Sequence, residues 1–400
     1  MKLNIAVLFG GESVEHEVSI ISAHQAMEAL DREKYHVIPV YISKDRKLYS
    51  SEALMDMKNY RDLNALTAKV PQVYFVNENN KTVMRPVKAP LFSHREIAVI
   101  DLAIPVMHGT NGEDGTIQGF LEMYRLPYAG CDLIAAAVGQ DKVLQKHALE
   151  NSGLPITEWF WVYAREMDTK KKEILNQASR IGYPVILKPA CTGSSVGISI
   201  AHNEKEYLIS FEEAARYDSK IITEKVVRPM REINCSVLGE PCDAITSVLE
   251  EVFHDTENEL LDFHDKYEQG GKAAKGSKGV SGMASTSRCV NPDLPEGISD
   301  EIKRLALETF RVLGSSGVCR IDFLMDTLTN QVYVNEINTI PGSLAYYLWL
   351  DAGVPFPALM DKLVELALER ERRRQSMIYS YETDLLKNYS EPTGAKGAKR

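Results

Sequence analysis

Four side chains late in the chain have the types and spacing to hold a hard cation against phosphate: Arg320, Asp322, Glu336 and Asn338. They lie in Cys319-Arg320-Ile321-Asp322-Phe323 and Val332-Tyr333-Val334-Asn335-Glu336-Ile337-Asn338-Thr339, with Thr329-Asn330 between. Alternation of apolar and polar residues predicts a hairpin with one cation, two carboxylates and an amide on one face. Such oxygen donors, without imidazole or thiolate, suit Mg2+ shared with phosphate oxygens rather than an all-protein cage. A nucleotide is therefore expected. Asp322 and Glu336 alone would read equally well as the wet face of a sheet. Arg320 and Asn338, each two residues away, make the set chemically matched.

The phosphates need donors of their own. Tyr183-Pro184-Val185-Ile186-Leu187-Lys188-Pro189-Ala190 reads as a strand with Lys188 at its end, followed by Thr192-Gly193-Ser194-Ser195-Val196-Gly197. Small residues let backbone N–H groups approach a phosphate, hydroxyls add donors, and Lys188 adds charge. No G-K-[ST] closes the loop, so it is not a Walker A motif. The strand Lys220–Val227 has a polar interruption that can meet an adenine edge, with Glu224 near the exocyclic amine. Arg231–Leu238 alternates and sets Glu232 toward ribose hydroxyls; either acid could equally be a surface residue of a sheet. Between Phe253 and Ser287 a long polar stretch holds Lys266-Tyr267 just ahead of several glycines, the pattern of a lid closing over substrate.

These pieces need scaffolds. Ile5–Phe9, Gly10-Gly11 and a helix over Glu17–Leu30 open the chain in α/β fashion, and strands at Val37–Ile42 and Val99–Ile104 predict a parallel sheet. No G-x-G-x-x-G follows the first strand, which speaks against dinucleotide binding. Glu15, at the carboxyl end of that strand, is placed to meet an ammonium group; alternatively Ser13 caps the helix and the acids complement its dipole. The loop Met107–Gly115 leads into a helix through Leu121. Helices are expected over Leu133–Ser152, Thr169–Ile181, Ser299–Leu313 and Phe356–Arg374, with a strand near Trp159–Val162.

With 400 residues, two or three domains are expected. A formal charge of −10 excludes a broad nucleic-acid surface. Scattered cysteines without zinc spacing point to reduced thiols. No apolar run reaches the length of a membrane span, so a cytoplasmic protein with no membrane partner is expected. The end of the chain, 376–400, is expected to be a flexible tail.

Taken in order, Gly10-Gly11 through Glu15-His16-Glu17-Val18-Ser19, His108-Gly109 with Gly112-Glu113-Asp114-Gly115, Asp141-Lys142, Lys188-Pro189 with Gly193-Ser194-Ser195-Val196-Gly197, Asp262 with Lys266-Tyr267, Arg320-Ile321-Asp322, and Asn335-Glu336-Ile337-Asn338-Thr339 with Pro341-Gly342 resemble the D-alanine:D-alanine ligases of the ATP-grasp superfamily, over roughly 3–350. The resemblance implies a three-domain α/β and α+β ATP-grasp architecture: an N-terminal parallel-sheet domain (1–125), a central domain (126–217) and a C-terminal domain (218–375) with the lid at 253–287. It implies ATP between the second and third domains, two Mg2+ ions (Mn2+ as an alternative), D-amino acid substrates and a homodimer. Lys142 and Lys188 would contact the nucleotide phosphates, Glu224 and Val227 the adenine, and Glu232 the ribose, with Lys266 a further cofactor-binding residue. Asp322, Glu336 and Asn338 would hold the metal. Glu15, linked through Ser194 to Tyr267, would take the first ammonium, and Arg320 with the Gly342 amide would stabilise the oxyanion.

One departure concerns the acceptor. Where the family usually has a Met/Phe-Thr-Ser run and a serine-leucine pair, this chain has Ser343-Leu344-Ala345-Tyr346-Tyr347-Leu348-Trp349. D-alanine is the expected acceptor, with D-serine or D-lactate as alternatives and a non-catalytic nucleotide-binding regulator as the reading outside enzymes.

Overall fold

Two hydrophobic periods alternate along this chain and sort its strands into three sheets, each covered by helices. The computed structural model describes residues 2–88, 97–253, 288–383, 385–387 and 389. Apart from Phe253, the expected lid, with Asp262, Lys266 and Tyr267, lies outside the described residues, as do 384, 388 and 390–400 of the expected tail.

The first sheet contains β1 (Leu3–Gly10), β2 (Tyr35–Ile42), β3 (Leu48–Tyr49), β4 (Gln72–Glu78), β5 (Lys81–Pro86), β6 (Ala98–Ile100) and β7 (Leu102–Val106), in the order β6-β5-β4-β3-β2-β1-β7. Only β2, β1 and β7 run parallel; β3 to β6 pair antiparallel. The expected parallel sheet is thus mixed. The physical reason is connection length: β4 and β5 are joined by Asn79-Asn80, both left-handed at φ 50° and 59°, a tight turn that can only return the chain antiparallel. The expected single strand over Val99–Ile104 is likewise two, broken at Asp101, whose carboxylate accepts from the Asn4 amide at 2.8 Å.

β8 (Trp159–Tyr163), β9 (Val185–Pro189), β10 (Ser199–Ala201) and β11 (Lys220–Lys225) form the second sheet, in the order β10-β9-β11-β8. The third has the order β14-β13-β12-β15-β16, from β12 (Met230–Glu240), β13 (Asp243–Val252), β14 (Arg288–Val290), β15 (Gly317–Asp326) and β16 (Val332–Asn338). Helix Ile298–Val312 covers it. Ile298, Ile302, Leu305, Ala306 and Phe310 recur at helical spacing and are buried against Ile233, Cys235, Ile321 and Phe323. Burying each larger side chain contributes about 1.5–3 kcal/mol. Asp300 and Glu301 in its first turn complement the dipole.

The helix expected over Leu133–Ser152 is two helices, Leu133–Gln140 and Lys142–Asn151. Asp141 breaks it: its carboxylate caps the second helix by accepting from the Val143 and Leu144 amides at 3.0 and 3.2 Å. All six cysteines are free, in keeping with reduced thiols. No helix among the described residues is long and apolar enough to cross a membrane.

Candidate active site

β15 and β16 pair antiparallel, with Arg320 opposite Asn338 and Asp322 opposite Glu336, so the four residues share one face. Simple alternation cannot do this in β16. It would put Val332 and Val334, both fully buried, on the same side as Glu336 and Asn338. A bulge between Asp322 and Phe323 skips Asn335 and shifts the phase, so the valines stay in the core while Glu336 and Asn338 turn to the cleft. The skipped residue gains a partner: Asn335 Oδ1 accepts from Lys188 Nζ at 3.2 Å.

Asp322 is gripped on its own face. Arg320 donates to it twice at 2.7 Å, and Asn338 donates to Oδ2 at 3.0 Å. Burial, with repulsion from Glu336 and Glu232, outweighs Arg320 and pushes the Asp322 carboxyl up to about 6. An added divalent cation would relieve that repulsion. Two carboxylates and an amide fit a magnesium ion completed by phosphate oxygens, whereas among the described residues no three His, Cys, Asp or Glu side chains cluster as a metal group.

Lys188, next to last in β9, reaches Glu224 of β11 at 3.0 Å; Lys146 reaches the same carboxylate at 2.9 Å, and Thr157 donates to it at 2.8 Å. Burial alone would raise Glu224, but the two ammonium groups outweigh it and hold the carboxyl far below its usual range. Lys142, first residue after the Asp141 break, donates to Thr192 O at 2.8 Å and lies 3.6 Å from Glu336. Its own amide bonds Ala190 O at 3.0 Å, tying the helix start to the end of the Lys188 strand.

Glu15 sits at the carboxyl end of β1, where the Ser194 hydroxyl donates to it. A Cβ on Gly109, which is left-handed at φ +68°, would lie 2.7 Å from the Glu15 carboxylate, and one on Gly193 would lie 3.0 Å away. Glycine at these two positions admits the acid between two loops. Behind it, Ser343 N–H donates to Ser22 Oγ at 3.0 Å, Ser22 bonds His108 Nε2 at 2.9 Å, and His108 Nδ1 bonds Ile340 O at 2.8 Å. That chain braces Gly342 and the left-handed run Ser343, Leu344 and Ala345, a conformation costing about 1–2 kcal/mol per residue.

Two cavities result. One, lined by Ile186, Ile198, Val227, Met230 and Leu324, is the more apolar slot, with Lys188, Glu224, Lys225 and Arg228 among its charged lining. The other is polar and holds Glu15, Lys142, Ser194, Arg320, Asn338 and Gly342. Glu232 and Glu336 line both. The cavities therefore meet beside the hairpin face.

Two family models match the chain: D-ala D-ala ligase N-terminus over 4–131 and D-ala D-ala ligase C-terminus over 148–365. The chain belongs to the D-alanine–D-alanine ligase family. It is 35% identical to the D-alanine–D-alanine ligase of Thermosipho melanesiensis, over 96% of this chain and 98% of the relative, and 37% identical to that of Caldicellulosiruptor bescii, over 95% and 99%. Among solved structures, the D-alanine–D-alanine ligase from Coxiella burnetii superposes with a TM-score of 0.75 at 28% identity, covering 94% of this chain and 96% of that one.

For a D-alanine–D-alanine ligase family member, several residues to which sequence reasoning gave no role are prominent. Glu113, Glu250, Arg288 and Tyr347 are buried or half-buried and line the polar cavity, while Lys146 is buried against Glu224. Glu113 had a sequence signal, in the loop between Met107 and Gly115. Its carboxylate accepts from the Gly109 and Ile340 amides at 2.9 Å each, joining that loop to the turn after β16. Burial and the nearby Glu15 push it up to about 7. A carboxyl with a raised folded value favours the protonated state, so unfolding free energy is expected to fall as pH rises from about 4.5 toward 7. Glu113→Gln should flatten that slope in urea titrations at successive pH values; an unaltered slope would assign it to other groups.

Proposed function

We propose that this protein uses ATP to join two D-alanines into D-alanyl-D-alanine for the peptidoglycan precursor. The observation that carries the reading is the meeting of an apolar slot and a polar cavity at Glu232 and Glu336, beside Arg320, Asp322 and Asn338. A nucleotide lying in the slot brings its terminal phosphate to the place where an amino acid's carboxylate ends.

In this reading Val227 and Glu224 meet the adenine, Glu232 the ribose, and Lys188 and Lys142 the phosphates. Asp322, Glu336 and Asn338 hold Mg2+, which when bound supplies charge neutralisation to the transferring phosphoryl group. Glu15 takes the ammonium of the first D-alanine and is oriented by Ser194. The first carboxylate attacks the γ-phosphorus, giving an acyl phosphate and ADP. The second amine then attacks the acyl carbonyl, Arg320 and the Gly342 amide stabilise the oxyanion, and phosphate leaves. Lys266 and Tyr267 keep the roles the resemblance implies, including exclusion of water from the acyl phosphate. The division at 125 and 217, the homodimer and the cytoplasmic location belong to the same proposal.

Purified protein with ATP, Mg2+ and D-alanine is expected to yield the dipeptide, identified by mass, with one ADP and one phosphate per product. ATP binding without phosphate release on any D-amino acid would favour a regulator instead. D-serine and D-lactate in parallel reactions test the acceptor. Glu15→Gln is expected to raise the KM for D-alanine by about tenfold while leaving that for ATP within about twofold, because a charge-assisted hydrogen bond contributes about 1.5–3 kcal/mol. A rise confined to ATP would contradict the ammonium role.

A further inference from the structure

The polar cavity has an end that none of these roles uses. Across the third sheet, Glu250 of β13 pairs with Asn234 of β12, Asn234 pairs with Asp322 of β15, and Asp322 pairs with Glu336 of β16. The row places Glu250 on the same face as the candidate metal residues. One pair along, Arg288 of the edge strand β14 faces Val252, which faces Glu232. The catalytic face therefore continues to an arginine at the sheet edge.

Arg288 is held from two sides. Its guanidinium carbon lies 3.8 Å from the centre of the Tyr347 ring, and Nη1 lies 3.5 Å from Glu250. The Tyr347 hydroxyl donates to the other oxygen of Glu250 at 3.0 Å, and Asn234 donates to that oxygen at 3.2 Å. Glu250 is 2% exposed, so its charge is tolerated because these partners satisfy it. Tyr347 is itself anchored: two residues on, the fully buried Trp349 donates from Nε1 to Ser236 at 2.9 Å. Stacking fixes the plane of a guanidinium without consuming its N–H groups, which suits it to a planar anion. The other cations lining this cavity are engaged at the nucleotide side, Arg320 with Asp322 and Lys142 with Glu336.

We propose that Arg288, oriented by Tyr347 and Glu250, receives the carboxylate of the second amino acid, in place of the serine of the family's serine-leucine pair, where this chain has Tyr347 ahead of Leu348. The assignment rests on the ligase reading. An acceptor needs its amine at the acyl carbonyl and its carboxylate away from the phosphates. A cation that lines the polar cavity but not the slot, two strands away from Glu232, meets both needs.

The test sets D-alanine against D-alaninamide as acceptors. The amide lacks a carboxylate, so it can accept but cannot be activated. With ATP, Mg2+ and equal concentrations of both, the ratio of D-alanyl-D-alanine to D-alanyl-D-alaninamide, read by mass, reports acceptor choice. The wild-type enzyme is expected to favour D-alanine by about tenfold or more, and Arg288→Met to bring the ratio near unity while still forming the amide product. Arg288→Lys, which keeps charge without the planar fork, is expected to fall between and carries the same reading if the methionine variant does not fold. Tyr347→Phe should lower the ratio a few-fold by freeing Glu250. A ratio unchanged in the Arg288 variants, with both products falling together, would overturn the assignment. Absence of both products from the wild-type enzyme would overturn the ligase reading and this assignment with it.

Discussion

Glu336→Gln is expected to lower kcat by roughly 10²–10³-fold while leaving the fold intact. The side chain is 29% exposed and contributes little to the core, so the isosteric amide should shift Tm by no more than about 2 °C. Its charge is another matter. Glu336 stands opposite Asp322, 3.6 Å from Lys142, and it lines both cavities. Losing one of two carboxylates weakens a hard-cation site, so the Mg2+ concentration for half-maximal rate should rise together with the loss of turnover. Steady-state rates across a magnesium titration measure both. Near-normal turnover at ordinary Mg2+ would remove Glu336 from the metal.

Glu224→Ala is expected to destabilise the protein by about 3–5 kcal/mol, the largest stability effect of any substitution at the site. Lys146 is 1% and Glu224 2% exposed, and Lys188 shares the carboxylate. Removing the acid leaves two buried ammonium groups without their anion. Burial already pushes Lys146 downward, and Glu224 offsets only part of that. Urea unfolding checks the size, and pH checks the cause. A carboxylate held below its unfolded range stabilises the fold above that range and loses its contribution as pH falls through the depressed value. The wild-type protein should thus show a steep acid limb that the variant lacks. A loss under about 1 kcal/mol with the acid limb retained would mean that the triad adds little.

The hairpin was legible because its polar residues carry matching chemistry at strand spacing, but the reason it works was not. Asn335 has no sequence mark that distinguishes a bulge from an ordinary strand residue, yet the bulge alone reconciles buried Val332 and Val334 with Glu336 and Asn338 at the cleft. Glu224 was legible as a site residue and illegible as half of an ion pair, because its partner Lys146 looks like any helical lysine. In the first sheet, β3 has two residues, too few for a period to register, β6 merged with β7 in the one strand expected over Val99–Ile104, and β4 and β5 went unread despite seven and six residues. Arg288 was the least legible. It sits on a three-residue strand, and its role depends on pairings with β13 and a stacking contact made by a helix some 60 residues later.

The most direct measurement follows the oxygen atoms. D-alanine labelled with 18O in its carboxylate, turned over with ATP and Mg2+, should transfer one labelled oxygen to the released phosphate, because the carboxylate oxygen that attacks the γ-phosphorus leaves with it. Phosphate carrying no label from D-alanine, alongside dipeptide formation, would mean that no acyl phosphate forms on the face built by Arg320, Asp322, Glu336 and Asn338.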